Sequence, residues 1–258
     1  MATSIYYKDA AVRVRADIEN AHDQAWAQFG VPGAFLSGRE RIAIIGEMRA
    51  SLSCHLCAQR KAALSPAMVQ GTHDRASDIL SAPAVDAVHR IVTDPGRLTE
   101  SWFKGLMAQG LDEGAYVELT GVVIQAIVIE TFDLAMGLHP RALPPVMAGA
   151  PSGFVPEGLT DEGAWVKTVP GDIGRRTLGS EIYYQPTART GPHVSYVIRA
   201  LSHVPEEFRS YMKLVAADYI PFPDIGNFPE YAKYKRAISP VQTEFISSRV
   251  SALNGCFY

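Results

Sequence analysis

Two cysteines separated by two residues, Cys54 and Cys57, are the side chains in this sequence best suited to redox chemistry. The sequence predicts a helix that ends in a short break at residues 51–53. It also predicts a second helix that begins at the cysteines, with Ser53 as its N-cap. The two thiols would then lie in the first helical turn and face the same way. The partial positive charge of a helix start favours the thiolate, the nucleophilic form of cysteine, so the pair indicates a redox-active dithiol.

A carboxylate able to act as a base stands seven residues before the pair, at Glu47, and another stands seven before that, at Glu40. On one continuous helix, Glu40, Glu47 and Cys54 would form a stripe with steps of about 10 Å, too long for direct contact. Only the predicted break, or a bridging water, would bring Glu47 to the thiols. Arg49 or Lys61 could stabilise a thiolate electrostatically. Glu40, which stands between two arginines, is expected at the surface.

Metal and haem chemistry are not predicted for the CxxC pair. A zinc site needs two ligands beyond the two thiolates, and His55 is the one histidine close to them in sequence. Covalent haem attachment requires a histidine directly after the second cysteine, where this chain has Ala58. We therefore interpret His55 as a supporting residue of a dithiol site, and we expect no cofactor and no metal.

The composition is that of a globular protein, with 47% apolar and 20% charged residues among 258 and a net charge of −3. Without a basic excess, no nucleic-acid partner is predicted. The N-terminus has no apolar h-region, and the most apolar run, 119–129, is too short to span a bilayer, so neither secretion nor membrane insertion is predicted. Three cysteines, two of them in one CxxC, are typical of a reducing compartment, which predicts a cytoplasmic protein.

Helical periodicity dominates the first 140 residues, and no stretch there alternates with the period of a strand. Residues 139–192 are rich in proline and glycine and predict a long connector. The predicted helices lie at 8–29, at 40–64 with the break at 51–53, from 72 or 74 to 91 with a break at Pro83, and at 98–107, 115–138, 193–203, 205–219 and 239–254. The sequence therefore predicts an all-α fold.

The last residues, Glu244 followed by eleven residues and then Cys256, resemble a known active-site signature. It is that of the alkyl hydroperoxidase D (AhpD) and carboxymuconolactone decarboxylase superfamily: a glutamate, eleven residues, CxxC, and a histidine three residues on. The segment from Gly38 to Cys57 resembles the same module in a variant form, and residues 116–137 are similar to the apolar helix that follows the site. The whole chain resembles the alkylhydroperoxidase-related proteins, some of which are selenoproteins.

This resemblance implies an AhpD-like helical module at 1–140, a connector at 141–192, and an incomplete second AhpD-like segment at 193–258. It implies a thiol peroxidase in which a glutamate, acting through a water and a histidine, deprotonates Cys57. Cys57 then attacks a hydroperoxide, Cys54 resolves the product as a disulfide, and an external lipoyl- or thioredoxin-like dithiol reduces it. Assembly as a homo-oligomer, a trimer or hexamer, is implied as well.

The chain departs from the family pattern at several positions. The family histidine would fall at Lys61, and His73 or His89, otherwise expected as cap or helix-surface residues, could replace it. Glu40 is two residues too far from the CxxC pair, and Glu47 is five too close. The first of these departures leaves the proton acceptor for the thiol unassigned by sequence.

The second motif is incomplete. Glu244 and Cys256 would be about 120° out of phase on a straight helix, so only a kink at Asn254-Gly255 could bring them together. The partner of Cys256 would be residue 259, one beyond the last residue given. Either a selenocysteine codon read as a stop or a truncated chain would explain this.

Three functions therefore stay open. The first and favoured one is a thiol peroxidase or related dithiol oxidoreductase. The second is a non-redox enzyme of the superfamily, in which Glu47 and a histidine transfer protons on a lactone-like or acyl substrate. The third is a scaffold without turnover.

Overall fold

The computed structural model describes residues 6–179, 183, 194, 196–220 and 237–255. Regular structure in these ranges is helical, and the nearest approach to a strand among them is one antiparallel bridge between Thr160 and Thr168. The predicted all-α fold class is thereby confirmed. The α-helices are α1 (Ala16–Gln28), α2 (Gly38–Ser51), α3 (His55–Ala62), α4 (Ala82–Thr93), α5 (Glu100–Ala108), α6 (Glu113–Ala135), α7 (Gly171–Thr177), α8 (Tyr196–Arg199), α9 (Pro205–Asp218) and α10 (Pro240–Leu253).

Helices α2, α4 and α6 pack against one another around the main apolar core. Ile44 of α2, Val88 of α4 and Val122 of α6 are completely buried there. Each such side chain contributes roughly 1.5–3 kcal/mol to folding by leaving water. Helices α1 and α9 pack on each other and on α6. This packing fixes the positions of α2 and α4 relative to each other.

Helix α6 is the longest element, and it begins where the Asp112 carboxylate accepts a hydrogen bond from the backbone N–H of Ala115. It is long and apolar enough to cross a membrane by length and composition alone. However, 56% of its most apolar window is buried inside the protein, as in the core helix of a bundle. The helix is therefore weak evidence for a membrane span.

Helix α1 begins at Ala16 and not near residue 8, so the predicted start at residue 8 is wrong. Tyr6–Asp9 forms a separate 3-10 turn instead. The buried Tyr7 hydroxyl donates to Asp133 Oδ1 at 2.8 Å and contacts the His22 ring. These tertiary contacts hold the segment out of line with α1, and helical periodicity alone does not reveal them.

The predicted break between α2 and α3 is confirmed, because α2 ends at Ser51 and α3 starts at His55. The N-cap of α3 is Cys54, however, and the prediction of Ser53 is wrong. The Ser53 hydroxyl donates to the Ala50 carbonyl at the end of α2 instead. Because the cap falls on the first cysteine, its backbone is extended while Cys57 is already helical.

The predicted helix between residue 72 and Pro83 is absent, because α4 starts only at Ala82. Pro83 lies in its first turn, where the missing N–H costs nothing. Residues 69–81 form an irregular loop, in which the backbone N–H groups of Ala76 and Ser77 donate to the Glu47 carboxylate. The loop, called the 69–81 loop below, thus uses its free N–H groups at the site.

The proline- and glycine-rich stretch is irregular over 139–170, as predicted, but it contains α7, which the sequence did not indicate. Its first part runs along the loop before α2, with the Met147 N–H donating to the Gly30 carbonyl at 2.8 Å. A Cβ at Gly30 would lie 2.1 Å from the Pro145 carbonyl oxygen, so a larger residue would force the two segments apart. Helix α8 is also shorter than predicted and covers only Tyr196–Arg199.

Helix α10 begins as predicted, at a Ser239 capping box with proline in the first turn. None of its residues is buried. Its apolar side chains face solvent, with 50–77% exposure at Val241, Phe245, Ile246, Val250 and Leu253.

Candidate active site

The break between α2 and α3 places two free thiols side by side. Cys54 caps α3 and Cys57 lies one turn later, and both are almost fully buried, at 2% and 3% exposure. Their sulfurs lie within 4.8 Å of each other. Leu56 and Val69 pack around them. The pair is thus shielded from solvent but held at a distance from which a small movement would form a disulfide.

Cys57 is connected to an acid through a histidine. His89 of α4 has its Nδ1 3.3 Å from Cys57 Sγ and its Nε2 3.2 Å from Glu47 Oε2. Both His89 and Glu47 are completely buried. Since a carboxylate accepts a hydrogen bond, Nε2 carries the proton, and the Nδ1 lone pair faces the thiol. This is the order of contacts of a nucleophile, a base and an orienting acid.

The His89 imidazole is held in its neutral form. Burial lowers the His89 pKa most, and the neighbouring His73 ring lowers it further, while the Glu47 carboxylate opposes both. A neutral imidazole is the form that accepts a proton.

Glu47 is fixed by contacts from outside its own helix. Its carboxylate accepts hydrogen bonds from the backbone N–H groups of Ala76 and Ser77, each at 3.1 Å, in the 69–81 loop. It points from α2 across to α4 and makes no direct hydrogen bond to either cysteine. The expected folding of this carboxylate back over the thiols is therefore wrong, because His89 bridges the gap.

A second histidine, His73 of the 69–81 loop, faces both sulfurs. Its Nδ1 is 3.5 Å from Cys54 Sγ and 3.5 Å from Cys57 Sγ, and its Nε2 is 2.9 Å from Asp86 Oδ1. Burial lowers the His73 pKa, but hydrogen bonds to Asp86 and the two cysteines outweigh it and raise the pKa to about 10. At neutral pH the ring is therefore an imidazolium that can donate to either sulfur.

Asp86 holds this imidazolium from behind. It also accepts hydrogen bonds from Arg60 Nη1 and Trp102 Nε1, each at 2.6 Å. Burial raises the Asp86 pKa, but the bonds from His73, Trp102 and Arg60 bring it well below its ordinary value. A charged Asp86 fixes the His73 ring with Nδ1 towards the sulfurs.

The Cys54 thiol has its own donors. Its sulfur accepts from the backbone N–H of Asp74 at 3.4 Å, and His73 lies on its other side. Burial raises the Cys54 pKa, but the N–H groups of Cys57 and Asp74 and the His73 ring outweigh this and lower it. The helix start acts in the same direction. These contacts favour the thiolate of Cys54 over its thiol.

A cavity of about 680 Å³ adjoins His73 and Asp86. Its lining includes the aromatic ring of Trp102 and four arginine side chains, those of Arg60, Arg75, Arg90 and Arg97. Among the residues that the structure describes, Asp86 is the one acidic side chain in the lining. The described lining therefore carries more basic than acidic side chains, although Arg60, Arg75 and Arg97 are each paired with an aspartate.

Three residues suggested by the sequence lie elsewhere. Arg49 pairs with Glu130 and donates to a backbone carbonyl, so it does not stabilise the thiols as expected. The His55 side chain is 90% exposed and its Nδ1 lies 2.8 Å from Asp74 Oδ2. Glu40 forms the capping box of α2 with Ser37. All three have structural partners, and none contacts a site sulfur.

The C-terminal motif lies only partly within the residues that the structure describes. Glu244 lies on α10, where its carboxylate accepts a hydrogen bond from the Tyr219 hydroxyl. Cys256 lies outside the described residues.

His73 and His89 were expected as cap or helix-surface residues, and this expectation is wrong. His89 is completely buried, and the His73 side chain is 8% exposed. A signal for His89 was present in the sequence, because it follows Val85 and Val88 on the apolar face of α4. His73 itself lies in a loop without periodicity, so no local pattern pointed to its contacts with the cysteines and with Asp86 of α4.

Helix α2 also enters a second buried polar cluster, the Arg41 cluster. Arg41 Nη1 lies 2.6 Å from Glu118 Oε1 of α6 and 2.6 Å from Glu207 Oε1 of α9. Gln125 Nε2 donates to Glu207 Oε2 at 2.8 Å, and the backbone N–H of Phe35 donates to Glu118. This cluster joins α2, α6 and α9 and contains neither a thiol nor a histidine.

Comparison with protein-family models, with curated protein sequences and with solved structures finds no match to this chain.

Proposed function

We propose that this protein is a thiol-dependent peroxidase that reduces hydroperoxides through a Cys54–Cys57 dithiol–disulfide cycle. The single observation that supports this most is the chain of contacts from Cys57 through His89 to Glu47. It provides a proton acceptor for the thiol and an acid that sets the tautomer of the acceptor. The resemblance of the CxxC segment to the AhpD superfamily supports the same chemistry.

In the first step the Cys57 S–H proton passes to His89 Nδ1, and the thiolate attacks the distal oxygen of the hydroperoxide. An S–O bond forms and the O–O bond breaks, giving a sulfenic acid on Cys57. The alcohol leaves with the proton from His89, so the base is regenerated. The His73 imidazolium, 3.5 Å from the sulfur, stabilises the thiolate before attack.

In the second step the Cys54 thiolate attacks the Cys57 sulfur and displaces its hydroxyl group, which takes a proton from the His73 imidazolium and leaves as water as the disulfide forms. One thiol of an external dithiol, of the lipoyl or thioredoxin type, then attacks Cys57 and expels Cys54 as a thiolate. The second thiol attacks this mixed disulfide and releases Cys57, so that the external disulfide forms and the two protons of the dithiol return to Cys57 and His73. The lowered pKa of Cys54 favours it as the leaving group in this exchange. The two cysteines thereby have different roles, Cys57 as the attacking and Cys54 as the resolving residue.

The substrate must reach sulfurs that are only 2–3% exposed. The 69–81 loop and the cavity beside His73 form the nearest route, since both adjoin the ring that contacts the two sulfurs. A small hydroperoxide fits such a passage more readily than a folded protein partner does. The proposal also includes a cytoplasmic location, which the cysteine usage predicts, and assembly as a homo-oligomer, which the resemblance implies.

Peroxide consumption with dihydrolipoamide as the reductant tests the proposal. Cys57→Ser is expected to abolish turnover, whereas Cys54→Ser is expected to stop after one oxidation, with a sulfenic acid trapped on Cys57 by a dimedone-type reagent. His55→Gln, which alters an exposed histidine beside the pair, serves as the matched control and should retain full activity. Peroxide consumption that is unchanged in Cys57→Ser would contradict the proposal.

A further inference from the structure

We propose that Cys54, Cys57, His73 and His89 form a binding site for one divalent metal ion of the zinc type when the two thiols are reduced. The four ligand atoms, two sulfurs and two Nδ1 nitrogens, all lie within 4.8 Å of one another. Two thiolates and two imidazoles are a recurring ligand set of tetrahedral zinc sites. This inference is independent of the peroxidase proposal, since it concerns binding and not turnover.

The distances match a coordination sphere. In a tetrahedral site with Zn–S near 2.3 Å and Zn–N near 2.0–2.1 Å, sulfur and nitrogen ligands lie about 3.5 Å apart. His73 Nδ1 is 3.5 Å from each sulfur, and His89 Nδ1 is 3.3 Å from Cys57 Sγ. A central ion would therefore require only small side-chain adjustments.

The surroundings of the ligands support the same conclusion. Each histidine directs Nδ1 inwards and has its Nε2 within hydrogen-bond distance of a carboxylate, His73 with Asp86 at 2.9 Å and His89 with Glu47 at 3.2 Å. Carboxylates behind zinc-bound histidines fix the ring orientation and strengthen the ligand in this way. The site has two such carboxylates, Asp86 from α4 and Glu47 from α2.

The charges also balance. Two thiolates neutralise a divalent ion once binding has displaced the Nδ1 proton of the His73 imidazolium, while Asp86 is paired with Arg60 and Glu47 is held by backbone N–H groups. A neutral ligand core is needed here because both sulfurs are almost completely buried. Thiolate and imidazole ligands select zinc-like ions over Mg²⁺ and Ca²⁺, which prefer oxygen. Four protein ligands leave no open position, so the ion would be held and not act as a Lewis acid on substrate.

Binding and thiol oxidation exclude each other. When one hydroperoxide oxidises the metal-bound dithiol, two protons are taken up, the Cys54–Cys57 disulfide forms, and the metal ion, the alcohol and water are released. The oxidised protein has lost both sulfur ligands and should no longer hold the ion. The site would thus link metal occupancy to the redox state of the pair.

The test is an anaerobic titration of reduced, chelator-treated protein with Co²⁺ as the spectroscopic probe, followed by displacement with Zn²⁺. We expect one Co²⁺ per chain, a sulfur-to-cobalt charge-transfer band and the strong visible absorption of tetrahedral Co²⁺. His73→Ala and His89→Ala should each weaken binding at least tenfold. Glu47→Gln and Asp86→Asn should weaken it about 10–100-fold. His55→Ala, the matched control, should bind like the unaltered protein.

A measurement without any variant covers the case in which a substitution prevents folding. Zn²⁺ should raise the melting temperature of the reduced protein and leave that of the disulfide form unchanged. The proposal is overturned if reduced protein gives no sulfur-to-cobalt charge transfer, or if the two histidine variants bind Co²⁺ like the control. Metal binding is measured without peroxide, and turnover is measured with chelator present. Failure of the metal-site proposal can therefore be distinguished from failure of the peroxidase proposal.

Discussion

Helix α2 takes part in two buried polar clusters, and they differ in kind. At one end, Arg41 is matched by two carboxylates, one of which also accepts backbone hydrogen bonds. At the other, Glu47 ends a series that leads through His89 to a thiol. Both clusters are buried and join three or more segments. Burial and ionic contacts therefore do not identify a reactive site. What distinguishes the cluster of Glu47, His89 and Cys57 is a nucleophile that faces the unprotonated nitrogen of an oriented base.

The largest expected effect on the reactive cluster comes from removing the base or its acid. His89→Gln and Glu47→Gln should each lower kcat/KM for hydroperoxide by about 10²–10⁴-fold, the usual contribution of a positioned general base. The measurement is steady-state peroxide consumption with chelator present, and His55→Gln is the control. A kcat/KM within threefold of the unaltered protein in both variants would contradict the assignment of His89 and Glu47 as the reactive base and its acid.

The Arg41 cluster should respond in stability and not in activity. Arg41→Met leaves the Glu118 and Glu207 carboxylates buried without their cation, and such losses cost about 3–5 kcal/mol. Urea unfolding should show this loss, while Arg39→Met, an exposed neighbour, should change stability by less than about 0.5 kcal/mol. The folded fraction of Arg41→Met should keep its kcat. A stable but inactive variant would contradict the division between the clusters.

A smaller effect is expected in the pH dependence of the Arg41 cluster. Burial raises the Glu207 pKa above its ordinary value of 4.5, the Glu118 charge adds to this, and Arg41 opposes it. The folded state therefore binds this proton more tightly than the unfolded state does. The stability from this group is complete below pH 4.5 and declines as pH rises through the raised folded pKa.

Glu207→Gln, which cannot titrate, should remove that decline. The difference in unfolding free energy between the unaltered protein and Glu207→Gln is therefore expected to shift in favour of the variant between about pH 4.5 and neutrality. Urea unfolding at several pH values measures it. A difference that stays constant with pH, or that shifts in favour of the unaltered protein, would contradict this expectation.

The smallest effect is expected at the glutamate that the family signature singled out. Glu244→Gln alters a side chain on α10, a helix in which no residue is buried, and one whose partner is the Tyr219 hydroxyl. We expect less than a twofold change in peroxide turnover and less than about 0.5–1 kcal/mol in stability. A loss comparable to that of Glu47→Gln would place the reactive acid at the C-terminal motif.

The sequence predicted the features that depend on local chemistry. Periodicity gave the helices around Ile44, Val88 and Val122, and the CxxC spacing placed both thiols at a helix start. It did not predict the contact between His89 and Glu47, two residues 42 positions apart, because that contact depends on how α2 and α4 pack. Nor did it predict that the 69–81 loop is irregular and that its backbone N–H groups donate to the Glu47 carboxylate.

The same limit applies to the metal ligands. The sequence showed only His55 near the cysteines and predicted no metal site, whereas the histidines whose Nδ1 atoms face the sulfurs lie 16 and 32 positions from Cys57. His55 itself points to solvent because it occupies the first turn of α3 opposite the buried cysteines. A ligand set that combines a loop and a neighbouring helix has no fixed spacing in the sequence. It can therefore be identified only from the three-dimensional structure.

The central claim, that the buried pair is the reactive centre, is tested most directly by a single turnover of reduced, metal-free protein with one equivalent of hydroperoxide. Mass-spectrometric mapping of the thiols then gives the product. The account predicts one Cys54–Cys57 disulfide per peroxide consumed, formed much more slowly in His89→Gln. Peroxide that leaves both thiols reduced, or that oxidises Cys256 in their place, would contradict it.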